Sequence, residues 1–266
     1  MKKPKVLIFS GYGFNSEAET KYGFEVSGAA VDIVHINDLI DGLYQLTNYH
    51  ILVFPGGFSY GDDTGSGNAY ANKVKNHLWE AIQKCIEKDT LVIGICNGFQ
   101  TLVNLGLLPA LNKQYGKKEV ALLHNDSARL TTRWTDLKVE NKSPWLANMD
   151  SFSLPIAHGE GKFYASKIIL DMLESRGLIA LRYVAGETSF YQNMQVNPNG
   201  SLENIAGITD ETGRIFGLMP HPERGMFFTQ LPQWPLLKEK YKREGKDLPE
   251  FAAGMQIFKN AVGYFS

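Results

Sequence analysis

Two cysteines occur among 266 residues, and one of them stands where a thiol is reactive. Cys96 follows an apolar, β-branched run at 90–95 and precedes a run with helical periodicity. A thiol at such a corner is exposed by the turn and lies beside the positive end of the helix dipole, which favours the thiolate. Gly94 and Gly98 flank it two residues away, as in a nucleophile elbow. We therefore predict that Cys96 is a nucleophile, with the Asn97 N–H directed at a developing oxyanion.

Cys85 shows the opposite pattern. It lies on the apolar face of a long helical run and has no glycine beside it, so we predict a core residue. Two cysteines with such different surroundings do not form a disulfide framework. The sequence therefore favours a reducing, cytoplasmic setting.

A thiolate needs a base, and the sequence offers six histidines. His221 stands between Pro220 and Pro222 just after a predicted strand, and the proline rings fix the backbone around it. Glu223 follows two residues later. In an extended segment residues i and i+2 project to the same side, so this carboxylate can orient the imidazole. We predict structural roles for His35 and His50 and a helix-surface position for His77, and we keep His124 and His158 as candidates without a supporting motif.

Composition excludes several classes of protein. Hydrophobic residues make up 44% and charged residues 21%, as in ordinary globular domains. A net charge of −1 argues against sequence-independent nucleic-acid binding. No apolar run approaches the ~20 residues that span a bilayer, and the run at 6–9 is too short for a signal peptide. We expect no nucleic acid, no membrane and no metal site.

The first 110 residues alternate strands and helices, which predicts a parallel, doubly wound sheet. The predicted strands are 5–10, 30–36, 50–57 and 90–95, and the predicted helices are 15–28 with Asn15 as its cap, 66–87 and 97–105.

The pattern changes after Pro109. We predict antiparallel strands at 119–140, a strand with a glycine-rich end at 152–163, a helix at 166–176, a strand at 178–184, a turn at 197–200, a hairpin at 205–224 on the turn DETG, a charged stretch at 237–247 and an amphipathic helix at 251–258. Because no repeat or low-complexity linker divides the chain, we predict a single domain over 1–266.

The motif around Cys96, GICNGFQ, together with His221 and Glu223 in PHPER, resembles the class I glutamine amidotransferases. The likeness is closest to the glutaminases of phosphoribosylformylglycinamidine synthase, an enzyme of purine biosynthesis. Five segments resemble that family in the family's order: FPGGFSYGDDTGSG (54–67), GICNGFQTLVNLGLLP (94–109), HGEGKF (158–163), NPNGSLENIAGIT (197–209) and GLMPHPER (217–224). The first loop, GYGFNSEAET, and the long tail after Arg224 depart from the family pattern.

This resemblance implies the class I glutamine amidotransferase-like, flavodoxin-like α/β fold. That fold has a mostly parallel central sheet, helices on both faces and extra antiparallel strands. It also implies that Cys96 attacks the side-chain amide of L-glutamine and forms a thioester, while His221 carries protons and Glu223 orients it. The implied oxyanion hole consists of the N–H groups of Gly57 and Asn97. The implied substrate-binding residues are Gln100, Gly56, His158, Gly159 and Glu160.

The family further implies a partner. Ammonia released from glutamine passes to a synthetase subunit, which uses ATP and Mg²⁺ to make formylglycinamidine ribonucleotide, and some members have a small third subunit. We expect no cofactor on this chain and slow glutamine turnover without the partner. Met1 favours a free-standing subunit. For the tail at 228–250 we expect a surface or a partner contact.

Three other interpretations compete with this one. The chain could be a glutaminase partner of another amidotransferase, or a cysteine hydrolase on the same sheet, such as a γ-glutamyl peptidase or an intracellular protease; PHPER and HGEG argue against the hydrolase. It could be a binding module with a vestigial triad, which the intact Cys96, His221 and Glu223 disfavour.

The loop 54–67 has an alternative interpretation of its own, because a glycine-rich loop can bind a phosphate. It lacks the lysine and the spacing of a Walker motif.

Overall fold

The computed structural model describes residues 3–265. Its strands are β1 (Lys5–Ser10), β2 (Ala30–His35), β3 (Ile51–Phe54), β4 (Leu91–Ile95), β5 (Val120–His124), β6 (Thr131–Val139), β7 (Ser151–His158), β8 (Glu160–Ala165), β9 (Ile179–Val184), β10 (Ile205–Thr209) and β11 (Ile215–Leu218). Its helices are α1 (Glu17–Val26), α2 (Ile36–Ile40), α3 (Asn68–His77), α4 (Trp79–Glu87), α5 (Asn97–Leu105), α6 (Lys167–Ser175), α7 (Glu187–Gln192), α8 (Trp234–Arg243) and α9 (Ala253–Gly263).

The fold is built around one nine-stranded sheet, with the strand order β2-β1-β3-β4-β11-β10-β9-β6-β7. The first five strands of this order pair in parallel, and the remaining pairs are antiparallel. A separate antiparallel pair joins β5 to β8. The parallel strands β1, β3, β4 and β11 are the apolar runs of the sequence, and they are almost fully buried, as expected for strands covered on both faces.

Helices cover both faces of the parallel half. From β1 the chain moves to β2 on one side, whereas from β3 it moves to β4 on the other. Because both crossovers are right-handed, α1 lies on one face and α3 and α4 lie on the opposite face. Helix α9 packs against α1, and α5 packs against α3. This is the α/β architecture that the family resemblance implies, with a parallel half of the sheet, helices on both faces and extra antiparallel strands.

The ends of two helices follow simple local chemistry. Helix α5 ends at Gly106, whose φ of 72° is the left-handed conformation that glycine adopts without penalty. Helix α6 begins after Ser166, whose hydroxyl accepts a hydrogen bond from the Ile169 N–H. Helix α1 begins at Glu17, so the prediction that Asn15 caps this helix is wrong; Ser16 occupies that position.

Several predicted elements are divided or shortened. The predicted helix 66–87 breaks at Leu78, whose φ of −122° interrupts the helical backbone between α3 and α4. The predicted strand 152–163 turns at Gly159 and becomes two strands in two different sheets. The strand predicted at 50–57 ends at Phe54, because the Pro55-Gly56-Gly57 segment leaves the sheet. The hairpin at 205–224 is confirmed as β10 and β11.

The tail contains two helices of different character. Helix α8 has no buried residue among its ten, whereas one face of α9 is buried, with Met255, Ile257 and Phe258 in the core. The charged stretch predicted at 237–247 is thus partly a surface helix. Among the described residues, no helix has both the length and the apolar character needed to cross a membrane.

Candidate active site

The sheet topology brings Cys96 and His221 to one edge. Strands β4 and β11 are adjacent and parallel, with Ile95 opposite Leu218, so the residues that follow them leave the sheet at the same edge. The Cys96 N–H donates to the Leu218 carbonyl at 2.8 Å. Cys96 has φ 51° and ψ −106°, a conformation that non-glycine residues rarely adopt. The thiol sits at a strained corner between strand and helix, as the sequence predicts.

Glycines on both sides of Cys96 make this corner possible. A Cβ added at Gly98 would lie 1.8 Å from the Phe54 carbonyl oxygen, and one at Gly94 would lie 2.6 Å from the Gly98 carbonyl oxygen. Neither position has room for a side chain. The role predicted for the two glycines, close packing around the nucleophile, is confirmed.

His221 and Glu223 form a buried pair next to the thiol. The imidazole Nδ1 lies 2.5 Å from the Glu223 carboxylate oxygen, and both side chains are about 1% exposed. Because the carboxylate accepts this hydrogen bond, Nδ1 carries a proton, and Nε2 is the ring nitrogen that remains available to the thiol. The segment is not extended as predicted, since Pro222–Arg224 forms a 3₁₀ turn, yet the carboxylate still reaches the ring.

The electrostatics of this pair favour a charged imidazole. Burial by itself lowers the pKa of His221, but the Glu223 carboxylate and the Cys96 sulfur oppose it and raise that pKa to about 10. Nε2 makes no hydrogen bond within the described chain, although the Cys96 sulfur is close enough to act on the ring. An imidazolium beside the thiol is the arrangement that stabilises a thiolate. Cys85, by contrast, is fully buried, and burial raises the pKa of its thiol to about 11.

Two backbone N–H groups, which follow strands β3 and β4, have no hydrogen-bond acceptor among the described residues. The N–H groups of Gly57 and Asn97 donate no hydrogen bond within residues 3–265. Gly57 packs so closely against the first loop that a Cβ would lie 2.6 Å from both the Gly13 carbonyl oxygen and the Phe14 Cα. These are the two donors that the family resemblance implies for an oxyanion hole.

The other predicted substrate residues surround the same edge. A Cβ on Gly56 would lie 2.8 Å from the His221 ring, so this glycine is needed for the imidazole to fit. The Gly159 carbonyl accepts from the Asn125 N–H at 2.9 Å, at the turn between β7 and β8. The Cys96 sulfur lies 3.8 Å from the carbonyl oxygen of Ala157, the residue before His158. The turn predicted to bind substrate is therefore beside the thiol.

His158 is held as a neutral ring. Its Nδ1 lies 3.1 Å from the Asn125 Oδ1, and the Asn125 Nδ2 donates to the His158 carbonyl at 2.8 Å. Because Oδ1 accepts, Nδ1 is the protonated nitrogen and Nε2 carries a lone pair with no partner in the described chain. Burial, with a smaller contribution from the charge of His221, lowers the pKa of His158 to about 3.

Gln100 and Glu160 contact each other. The Gln100 Nε2 donates to the Glu160 backbone carbonyl at 2.5 Å, and its Oε1 accepts from the Asn97 Nδ2 at 3.0 Å. The Glu160 carboxylate accepts from the Ser66 N–H at 3.0 Å and pairs with the exposed His124 at 3.4 Å. Both polar atoms of the Gln100 amide are thus engaged by the protein itself in this structure.

Comparisons with known proteins identify the family. A family model described as a CobB/CobQ-like glutamine amidotransferase domain matches residues 3–265. A Methanococcus maripaludis protein, phosphoribosylformylglycinamidine synthase subunit PurQ, is 47% identical over 99% of this chain and 98% of its own length. The chain belongs to the PurQ family of glutamine amidotransferases.

Other members of the PurQ family extend this result. The Archaeoglobus fulgidus PurQ subunit is 38% identical over 98% of this chain and 96% of its own length. A Drosophila melanogaster phosphoribosylformylglycinamidine synthase is 34% identical over 90% of this chain, which is 18% of the fly protein. The structure of PurLQS from Thermotoga maritima superposes with a TM-score of 0.71 and 28% identity over the whole of both chains.

Sequence reasoning missed some residues of this PurQ-family site. Asn125 holds the β7–β8 turn, and Arg224 donates to the Ser16 hydroxyl at 2.9 Å, which ties the PHPER segment to the start of α1. The buried Tyr183 hydroxyl lies near Cys96 and the Asn199 side chain. No motif marks Asn125 or Tyr183, because long-range pairing alone places them, and Arg224 belongs to the PHPER motif without a role that its neighbours indicate. Within residues 3–265 no cluster of His, Cys, Asp or Glu side chains is arranged to hold a metal ion.

Proposed function

We propose that the chain is a glutaminase subunit that hydrolyses L-glutamine to glutamate and ammonia and supplies that ammonia to a phosphoribosylformylglycinamidine synthetase subunit. One observation carries the proposal: a thiol on a strained corner, an imidazole and a carboxylate meet at one buried edge of the sheet. This is the nucleophile, base and orienting group of covalent acyl transfer.

Each group has a step in the reaction. The Cys96 thiolate attacks the side-chain amide carbon of glutamine, and the charge that develops on the carbonyl oxygen is bound by the N–H groups of Gly57 and Asn97. His221 gives its Nε2 proton to the departing nitrogen, which leaves as ammonia and a thioester remains. His221, neutral at this stage, then takes a proton from water as that water attacks the thioester, and glutamate is released. Glu223 holds the ring throughout.

The substrate amino acid binds near the remaining predicted residues. The α-amino and α-carboxyl groups of the substrate face the backbone of Gly56, His158, Gly159 and Glu160. Gln100 supports this backbone through its hydrogen bond to the Glu160 carbonyl. The names of the relatives support a synthetase partner, and the Thermotoga structure of PurLQS supports a small third subunit as well. ATP and Mg²⁺ belong to the synthetase, and this chain needs no cofactor of its own. Its setting is the cytoplasm, where both cysteines stay reduced.

A labelling experiment tests the proposed nucleophile. A diazoketone analogue of glutamine should label Cys96, peptide mapping should locate the label, and Cys96→Ala should abolish it. Label on Cys85, or none, would contradict the proposal.

A second experiment tests the coupling to the partner. The purified chain should consume glutamine slowly, and the addition of the synthetase subunit with nucleotide should raise the rate. Equal rates with and without the partner would contradict the coupling, while peptide cleavage without glutamine turnover would indicate a protease instead.

A further inference from the structure

The side chain of Asn97 joins the two loops that carry the proposed oxyanion donors. Its Oδ1 accepts a hydrogen bond from the Ser59 N–H at 3.1 Å, and its Nδ2 donates to the Asp62 carboxylate at 3.0 Å and to the Gln100 Oε1 at 3.0 Å. Asn97 is fully buried. Its carbonyl oxygen and both of its N–H donors are therefore used, which fixes one orientation of the amide.

This contact sets the distance between two separate strand ends. Gly57 follows β3, and Asn97 follows β4. The segment from Gly57 to Asp62 leaves the sheet, and Tyr60, Gly61 and Asp62 in it all have positive φ. Its backbone hydrogen bonds run within the segment and to the first loop, where the Phe58 N–H donates to the Gly13 carbonyl at 2.9 Å, and among the described residues none of them joins it to α5. An oxyanion hole acts only when both donors lie 2.7–3.1 Å from the same oxygen. Ser59, two residues after Gly57, is the point at which the Asn97 side chain fixes that segment.

The same amide reaches the third segment of the site. From Asn97 the hydrogen bonds continue through Gln100 to the Glu160 carbonyl, and the Glu160 carboxylate accepts from the Ser66 N–H. Ser66 and Ser59 belong to one loop, so the contacts close into a ring. A connected ring of hydrogen bonds in a partly buried site is rigid, and Asn97, the first residue of α5, is the member that joins this helix to the loop.

We propose that the Asn97 side chain is a positioning residue that holds the Gly57 and Asn97 N–H groups at the spacing the tetrahedral intermediate requires. The inference rests on the proposed function, because it assigns a role within glutamine hydrolysis. The side chain touches no reacting atom. It acts through the backbone that it connects, so it changes the rate of acyl transfer and leaves the nucleophilicity of the thiol unchanged.

Two reactions of the same thiol separate this role from a general structural one. Glutamine hydrolysis passes through an oxyanion, whereas alkylation of Cys96 by iodoacetamide is a direct displacement that forms none. In the full chain assembled with its synthetase subunit, Asn97→Ala should lower kcat for glutamine about 10- to 100-fold. KM and the alkylation rate of Cys96, followed by peptide mapping, should change by no more than about twofold. Asn141→Ala is the matched control, because that amide also makes three hydrogen bonds but lies at the far end of β10.

A charge exchange tests the contact itself. Asn97→Asp places a carboxylate against Asp62 and should lower kcat more than Asn97→Ala does. Adding Asp62→Asn places an amide donor opposite the new carboxylate at position 97. The double variant should therefore have a kcat about tenfold higher than Asn97→Asp alone, and a double-mutant cycle measures this recovery. The recovery is partial because Gln100 still faces an oxygen.

The outcomes distinguish the two proposals. An active wild-type complex whose Asn97→Ala variant keeps its kcat, or loses kcat and alkylation equally, would overturn the positioning role and leave the glutaminase function standing. So would a double variant no faster than Asn97→Asp. A wild-type complex that consumes no glutamine would overturn the proposed function, and the positioning role with it.

Discussion

The backbone of Cys96 holds a conformation that costs about 1–3 kcal/mol for a residue with a side chain. Hydrogen bonds on both sides fix it there: its N–H donates to the Leu218 carbonyl, and its carbonyl accepts from the Gln100 N–H at 3.1 Å. The strain turns the sulfur out of the sheet toward His221. The surrounding strand pairing thus supplies the energy for presenting the nucleophile.

The carboxylate of Glu223 sets the charge of the proposed base. Glu223→Gln removes the charge that raises the pKa of His221 to about 10, so the pKa should fall and the imidazolium should be lost at lower pH. We expect kcat/KM to drop about 100-fold and the alkaline limb of its pH profile to move to lower pH. Glu25→Gln, which affects only a surface pair with Lys21, is the control. An unchanged alkaline limb would contradict the role of Glu223.

The neutral, buried His158 should make the fold sensitive to acid. Its folded-state pKa is lowered to about 3, whereas an unfolded imidazole has a pKa near ~6.5. Below that value the unfolded chain binds a proton that the folded chain does not, so the stability present above pH ~6.5 is lost as the pH falls toward 3.

Between pH 7 and pH 5 this histidine should account for about 2 kcal/mol of lost stability. His158→Gln keeps an N–H for the Asn125 Oδ1 and has no titration. Urea unfolding at the two pH values should therefore show a smaller loss for the variant than for the wild type. Equal losses would mean that His158 is protonated in the folded protein.

The sequence predicts the chemical groups of this site better than their contacts. Cys96 is marked by its glycines and His221 by its prolines, because these neighbours are adjacent in the chain and their effects are local. The hydrogen-bond partners of the Asn97 and Gln100 side chains cannot be predicted from neighbouring residues. Their partners, Ser59, Asp62 and the Glu160 carbonyl, come from distant segments that only the folded sheet brings together.

At the scale of elements, the contact between β3 and α5 depends on one missing side chain. A Cβ at Gly98 would lie 1.8 Å from the Phe54 carbonyl oxygen, so α5 and β3 could accept it only by moving apart in a closely packed core. Gly98→Ala should lower the free energy of unfolding by about 3 kcal/mol or more. Gly263→Ala, in α9 with open space around it, should be neutral or stabilising by up to about 1 kcal/mol. Urea unfolding checks both, and similar values for the two would refute the close-packing argument.

Element boundaries show where periodicity fails. Apolar residues three to four apart run through 66–87 without interruption, so the break at Leu78 between α3 and α4 has no signal in the pattern. The pattern at 152–163 likewise predicts a single strand, although its two halves pair with β6 and β5 in different sheets. In both places tertiary packing, and not local preference, sets the boundary.

On the scale of the whole molecule, the parallel half of the sheet follows from the alternation of strands and helices, and the antiparallel half does not. Strand β7 is last in the sheet order, five places from β4, yet the His221 N–H donates to the Pro155 carbonyl at 2.8 Å and Cys96 contacts Ala157. The β6–β7 hairpin therefore curls back over the site. Such curvature arises from sheet twist and packing, which a single sequence does not encode visibly. The single-domain organisation stays a prediction.

Helix α9 packs against the turn at 222–225, which follows His221. The Gly254 N–H donates to the Gly225 carbonyl at 3.1 Å, and a Cβ on Gly254 would lie 2.3 Å from the Pro222 carbonyl oxygen. Phe258 is fully buried, and its ring meets the Phe24 ring edge to face, with 4.9 Å between the two ring centroids. The helix thus connects α1 to the turn that carries His221.

Removal of the Phe258 ring should weaken this support. Phe258→Ala should lower the free energy of unfolding by about 3–5 kcal/mol, as measured by urea denaturation. Phe190→Ala, at a side chain 80% exposed, should change it by less than about 0.5 kcal/mol. A small effect at Phe258 would show that α9 is not part of the cooperative core.

The placement of α9 has a consequence for the newly made protein. The ribosome synthesises residues 253–263 after every other part of the site, and the turn bearing His221 lacks its backing until they emerge and dock. A nascent chain therefore contains the Cys96 thiol well before it can hydrolyse an amide.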